Sequence, residues 1–267
     1  SLVLLSLVPP LVLSLLLFPV PSLCLLVFSV PVSLLSWVFL LSFPSLPSSF
    51  SSCHRLLLVI AHPDDETMFF SPLLQSLSRC QIRVFLLCLS TGNAYNEGRI
   101  RRRELFEAVA HLGISPSDVT IMDSTGMQDG EEWSVSAVSS LICRHAKCLD
   151  VDTVVSFDDL GVSGHGNHQS CSMALKYARD ELHERIQLYR LESPSLARKY
   201  CSVLGVLLSA VLDKRDRTFV SRPSFFIRSW RAMRAHSSQL VWFRYLYMMS
   251  SSLLFTNSFL GVERRKR

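Results

Sequence analysis

The chain has 267 residues, 49% of them hydrophobic, and a formal net charge of +5 at pH 7, enough for one substantial α/β domain with an appendage. Residues 1 to 53 contain no Asp, Glu, Lys, Arg or His, so the whole basic excess lies from His54 onward. Zinc-finger spacings, basic helices with heptads and aromatic RNA-binding motifs are all missing, which excludes the common nucleic-acid modules.

The uncharged N-terminal stretch mixes Leu, Val, Phe and Ser with Pro9, Pro10, Pro19, Pro21, Pro31, Pro44 and Pro47. Its length accommodates one span or even two at about 20 residues each, but no stretch of that length is free of proline. Three readings apply: a membrane anchor, a cleaved signal peptide, or an N-terminus that is not a native element. A signal peptide should open on positive charge, and this stretch begins with Ser1 and has none, so the anchor is preferred. Arg55 is the first basic residue beyond it, which by the positive-inside tendency puts the globular part in the cytosol. The eight cysteines include no C-x-x-C pair, and Cys88 lies in an apolar run as a buried thiol would, in keeping with a reducing compartment.

The apolar run from Arg55 to Ile60 predicts a buried strand that ends in His62-Pro63-Asp64-Asp65-Glu66. Helical spacing comes next at Met68, Phe69, Leu73, Leu74 and Leu77, then a strand over 81–89. Ile100, Leu105, Phe106, Val109 and Leu112 mark a second helix that should stop at Gly113. A short strand over 118–122, a helix over 133–148 and a strand over 153–157 come after it. That last strand runs into a second polar cluster, from Asp158 to His168. A helix to about Glu184, a strand over 186–191 and the apolar run Val203 to Leu212 complete the legible part. Strands and helices alternate, so the expected fold is a Rossmann-like α/β one: a mostly parallel, doubly wound sheet with both polar clusters at one edge.

Two adjacent carboxylates beside an imidazole repel one another unless a cation sits among them. His62 and Asp65 at one strand end and His168 at another form an N/O set of three, the kind catalytic zinc uses while leaving a position for water. Zinc lowers the pKa of bound water to about 7. Neighbouring Asp64 and Asp65 diverge in an extended or turning backbone, so one can bind metal while the other faces the water. His165 is left to stabilise an oxyanion or to protonate a leaving amine.

His62-Pro-Asp64-Asp65-Glu66 together with Gly161-Val-Ser-Gly-His165-Gly-Asn-His168 resembles the LmbE-like deacetylase family, and within it the PIG-L branch. The stretch Thr91 to Leu105, Met127-Gln-Asp-Gly130 and Gln239-Leu-Val-Trp-Phe-Arg244 extend the similarity over about 56–255. The resemblance implies a zinc-dependent hydrolase that removes the N-acetyl group from N-acetylglucosaminyl-phosphatidylinositol (GlcNAc-PI). The products are glucosaminyl-phosphatidylinositol and acetate, and the reaction is the second step of GPI-anchor biosynthesis. It implies His62, Asp65 and His168 as metal ligands, Asp64 as base and His165 as oxyanion partner. It also implies the endoplasmic reticulum membrane, with the catalytic domain facing the cytosol. The chain then divides into residues 1–53, an anchor or signal-like segment, and 54–267, an LmbE-like domain with a basic tail.

Arg101 to Arg103 fall in the first turn of their helix, where the macrodipole disfavours cations by a few tenths of a kcal/mol each. They either meet an anion such as the substrate phosphate or pair with Glu97 and Glu107 at i,i+4 spacing. Arg101 and Asn93 are therefore candidate substrate contacts. Glu66 and Asp158 are candidate orienters of the metal ligands, or merely helix-start and turn residues. The metal is zinc or another divalent ion such as Fe2+. A soluble GlcNAc conjugate as substrate, and a non-catalytic membrane-attached interaction protein, are the competing functions.

Overall fold

The computed structural model describes residues 43–200 and 215–264, so most of the expected anchor and the apolar run Val203 to Leu212 lie outside the described residues. Among the described residues, no helix is long and apolar enough to cross a membrane. Phe43, Phe50 and Cys53, at the end of the uncharged stretch, are buried in the domain itself. Phe50 stacks on Tyr189 at 4.3 Å between ring centroids, and the Tyr189 hydroxyl donates to Ser49 O at 2.7 Å.

The expected alternation is present. Strands β1 (Arg55–Ile60), β2 (Arg83–Cys88), β3 (Val119–Ile121), β4 (Thr153–Phe157) and β5 (Gln187–Leu191) are joined through helices α1 (Asp65–Arg79), α2 (Gly98–Leu112), α3 (Val135–Cys148) and α4 (Gly166–Glu181). Ser134 caps α3 by accepting from Ala137 N, and Gly113 ends α2 in the left-handed region at φ 88°. Leu56, Leu58, Val59 and Ile60 are fully buried, as a central parallel strand covered on both faces requires.

The sheet order is β3-β2-β1-β4-β5-β7-β6. Pairing is parallel from β3 through β5, with Leu56 opposite Val84 on one side of β1 and opposite Thr153 on the other. The chain winds outward from β1 to β3 and then restarts at β4. Right-handed crossovers therefore put α1 and α2 on one face, and α3 and α4 on the other. The reversal between β1 and β4 opens a crevice at their C-terminal ends, where such sheets take ligands. Both polar clusters leave the sheet at this crevice.

Beyond β5 lie β6 (Thr218–Val220), α5 (Pro223–Ala235), α6 (Trp242–Ser250) and β7 (Thr256–Gly261). β7 runs antiparallel to β5 and β6. Its polar residues are buried for a specific reason. Pro72 interrupts the backbone hydrogen bonding of α1, and the freed groups need partners. The Tyr247 hydroxyl donates to Met68 O at 2.9 Å, the carbonyl that residue 72 would otherwise have bonded. Asn257 of β7 accepts from Leu73 N at 3.1 Å and donates to Phe69 O at 2.8 Å, spanning the next pair of groups. A break in α1 thus locks it to the C-terminal elements, alongside the buried Phe70, Leu73 and Leu77, worth about 1.5–3 kcal/mol each.

Candidate active site

The first polar cluster is held by its own backbone. Between β1 and α1 the chain passes through Asp64 at φ 114°, ψ −21°, a region that a residue with a side chain rarely adopts. Three groups hold it there. Asp65 Oδ2 accepts from Ala61 N at 3.0 Å and from His62 N at 2.9 Å, and Glu66 Oε2 accepts from Asp64 N at 3.0 Å. Glu66 Oε1 accepts in turn from Thr67 Oγ1 at 2.6 Å and from His236 Nε2 at 2.7 Å, and both Glu66 and His236 are fully buried. Glu66 thus braces the turn that carries His62, Asp64 and Asp65.

The second cluster arrives from β4. Gly161, at φ +56°, lies so close to α4 that a Cβ there would stand 2.9 Å from His168 Cβ. The same closeness lets His168 Nδ1 donate to Gly161 O at 2.9 Å. Val162 comes next at φ 61°, with its N–H donating to Ser193 Oγ at 3.0 Å. Ser193 donates in turn to Asp158 at 2.6 Å. Asp158 acts on this loop and not on a ligand directly. Phe157 stacks on His168 at 4.1 Å and 3°, fixing the ring plane.

The two clusters meet. His168 Nε2 is 3.3 Å from Asp65 Oδ1, and His62 Nδ1 is 3.9 Å from Asp65 Oδ2. One ring nitrogen from each of His62, His165 and His168 also lies within 4.8 Å of the others. Because His168 commits its Nδ1–H to Gly161, a neutral ring presents a bare lone pair to the Asp65 carboxylate. Two acceptors facing each other at this distance call for a proton or a cation between them. The three imidazoles of His62, His165 and His168 form a cluster that could hold a divalent ion, and Asp65, expected among the ligands, adjoins it through His168.

The electrostatics agree. Burial acts to raise the Asp65 carboxyl, but His168 and then His62 outweigh it and hold Asp65 well below the usual range. Burial acts to lower His168, and Asp65 outweighs it, so His168 is raised. His165 is lowered, first by burial and then by the charges of His62 and His168. The two aspartates diverge, since burial raises Asp64 against the opposing pull of Arg244 and Arg101.

Asp64 sits between two guanidinium groups, Arg244 Nη2 at 3.0 Å from Oδ2 and Arg101 Nη2 at 3.7 Å from Oδ1. Its buried Oδ2 has no hydrogen-bond partner among the described residues. Arg101 is itself buried and donates to Pro63 O at 2.7 Å and Gly92 O at 2.9 Å, which ties the ligand turn to the loop after β2. Neither Glu97 nor Glu107 forms an ion pair with it among the described residues. Asn93 is exposed and uses its side chain to accept from Gly98 N at 2.9 Å, capping the turn before α2.

Around these groups lies a cavity of about 720 Å³. His62, Asp64, Asp65, Arg101, His165 and His168 line its polar end, while Asn93 is not among its lining residues. Sequence reasoning alone did not single out Asp129, His236 or Arg244 for the site. Asp129 Oδ1 is 3.2 Å from His62 Nε2 and 3.9 Å from His165 Nε2, and the His62 hydrogen bond holds this carboxyl below its ordinary value. Asp129 lies within the motif Met127 to Gly130 and Arg244 closes the motif that starts at Gln239, so a local signal existed for both. Nothing local marks His236, which reaches Glu66 only through the packing of α5.

A Rossmann-like sheet carrying a histidine and carboxylate cluster over the β1/β4 crevice defines the class: an LmbE-like deacetylase fold. Among solved structures, the chain is similar to N,N'-diacetylchitobiose deacetylase from Pyrococcus horikoshii, with a TM-score of 0.57 and 15% identity over 79% of this chain and 85% of that one. It is also similar to the zinc-inhibited form of teicoplanin deacetylase Orf2, with a TM-score of 0.54 and 14% identity over 79% of this chain and 100% of that one. These likenesses concern the fold. The sequence comparisons are more specific. Residues 57–178 match the model of the PIG-L family, GlcNAc-PI de-N-acetylase. The chain is 40% identical over 208 residues to N-acetylglucosaminyl-phosphatidylinositol de-N-acetylase of Bos taurus, covering 76% of this chain and 82% of that protein. It is 32% identical over 241 residues to the probable enzyme of the same name from Dictyostelium discoideum, covering 78% and 93%. The chain belongs to the PIG-L family of deacetylases.

Proposed function

We propose that this chain removes the N-acetyl group from GlcNAc-PI, releasing acetate and glucosaminyl-phosphatidylinositol, as the second step of GPI-anchor biosynthesis. The observation that carries the reading is the composition of the cavity. Its floor is the His62, Asp64, Asp65, His165 and His168 cluster, and its opposite walls include Phe243, Leu246 and Tyr247. A polar end for an acetamido sugar and an apolar approach for a lipid are thus joined in one space.

His62, Asp65 and His168 would hold a divalent metal, zinc or another such as Fe2+. Bound there, the ion supplies a Lewis acid that makes water nucleophilic near neutral pH. The chain's own residues do the rest. Asp64, which lines the cavity with Arg244 against its Oδ2, takes the proton of the attacking water. Arg244 and Arg101 keep that carboxylate aimed. His165, half-exposed at the cavity edge, stabilises the developing oxyanion and serves the leaving amine. Arg101 also lines the cavity and is available to the substrate phosphate.

The setting we infer is the endoplasmic reticulum membrane, with the domain on the cytosolic side. The free thiols of Cys53, Cys80, Cys88, Cys143, Cys148 and Cys171 suit that reducing side. The test is acetate release by the purified chain from GlcNAc-PI, with and without a chelator. Release that the chelator abolishes and zinc restores is expected. Release from soluble GlcNAc conjugates but none from the lipid would overturn the substrate assignment.

A further inference from the structure

Helix α6 exposes what a helix in water normally hides. Tyr247 and Met248 face the core, yet Trp242 is 72% exposed, Phe243 51% and Leu246 56%. These three lie at i, i+1 and i+4, so they share one side of a short helix. They also line the mouth of the cavity whose floor holds the candidate active site. Tyr95, from the loop before α2, is 86% exposed and lines the same mouth.

The surface continues onto α5. Trp230 of that helix meets Tyr245 of α6 edge-on, with 5.9 Å between ring centroids. From there Arg228, Arg231 and Arg234, spaced by three, occupy the exposed face of α5. Aromatic and aliphatic side chains beside a row of arginines form the pattern of a helix lying in a membrane interface. The rings sit at headgroup depth and the guanidinium groups meet anionic lipid.

We propose that α6 and the exposed face of α5 dock on an anionic bilayer, with Trp242, Phe243 and Leu246 inserted around the cavity mouth. The proposal rests on the lipid substrate assigned above and adds how that substrate is reached. A protein partner seated on α6 would close the route to His62 and His168. A bilayer instead presents the headgroup of a lipid to the cavity while its acyl chains stay in the membrane. The arginines select anionic surfaces over neutral ones.

Two measurements on the full chain test this. The first reconstitutes the protein in vesicles whose phosphatidylcholine carries bromine at a shallow acyl position, and compares tryptophan emission with that of Trp242→Phe. Quenching that is weaker in the variant by the share Trp242 contributes is expected. Trp242 emission untouched by the bromines would overturn the proposal and assign the face to apolar stretches of this chain itself or to a protein partner. The second compares acetate release by wild type and by the triple variant R228E/R231E/R234E. Both sets of vesicles carry the same trace of GlcNAc-PI; in one the remaining lipid is phosphatidylcholine, and in the other about one lipid in five of it is replaced by phosphatidylserine. Equal rates on neutral vesicles and a loss of about fivefold on anionic ones are expected. The same ratio on both would overturn the role of the arginines. If wild type released no acetate from either vesicle, the functional reading would fail, while the quenching result would still decide the docking.

Discussion

At the scale of single residues, the site divides labour between two neighbouring aspartates by backbone geometry. Asp65 opens α1 and spends one oxygen on the amides of Ala61 and His62, which leaves the other for His168. Asp64 is turned the other way by its positive φ and meets Arg101 and Arg244. Asp64→Asn should therefore lower acetate release by about 10²–10⁴-fold, the contribution of a positioned base, while metal content stays at the wild-type level. Elemental analysis beside the acetate assay separates the roles. Loss of both would mean that Asp64 is a ligand.

At the scale of elements, two devices join the site to the C-terminal third of the domain. Asn257 fills the break that Pro72 makes in α1, so Asn257→Leu should strand Leu73 N and Phe69 O and lower stability by about 2–4 kcal/mol in urea titration. His236 on the other side closes the buried pair with Glu66. Its removal in His236→Ala leaves an unpaired buried carboxylate, with an expected loss of about 3–5 kcal/mol and of activity as well, because Glu66 holds Asp64 N. The pair also sets a pH dependence. Burial acts to lower His236, but the charge and hydrogen bond of Glu66 outweigh it, so the folded value is raised above the ordinary 6.5. The stability it contributes is fully present below 6.5 and is lost as pH rises through the raised value. Melting temperatures measured between about pH 6 and pH 9 should fall more steeply for wild type than for His236→Gln, which keeps a hydrogen-bond donor without the charge.

At the scale of the molecule, a metal that binds only the folded site stabilises the whole domain by mass action, by about 4 kcal/mol at a thousand times its dissociation constant. Thermal melts should therefore shift upward with added zinc and downward with a chelator, and replacing His168 with Ala should remove most of the shift. A melt indifferent to zinc and chelator would argue against a resident metal at these residues. The reversal of winding between β1 and β4 is what makes such coupling possible, since it brings two distant stretches of chain into one cluster.

Much of this was legible without coordinates. Apolar runs bounded by polar clusters located β1, β2 and β4, because strands buried on both faces leave few alternatives for runs of that length. The same logic placed His62, Asp65 and His168 together, since parallel strands all deliver their C-terminal ends to one edge. Elements whose stability comes from contacts rather than pattern were not legible. β7 opens on buried Thr256, Asn257 and Ser258 instead of an apolar run, and it makes sense only beside the Pro72 break. The sequence left Arg101 either meeting an anion or pairing with Glu97, and only the fold shows its guanidinium donating to Pro63 O and Gly92 O. No motif marks His236, and only the packing of α5 brings it to Glu66, 170 positions away. The order of the chain thus determined which residue types reach the crevice, because periodicity and strand direction are local properties. Tertiary structure alone decided which distant residues hold them in place, because bonds such as Val162–Ser193 and Asn257–Phe69 join residues 31 and 188 positions apart.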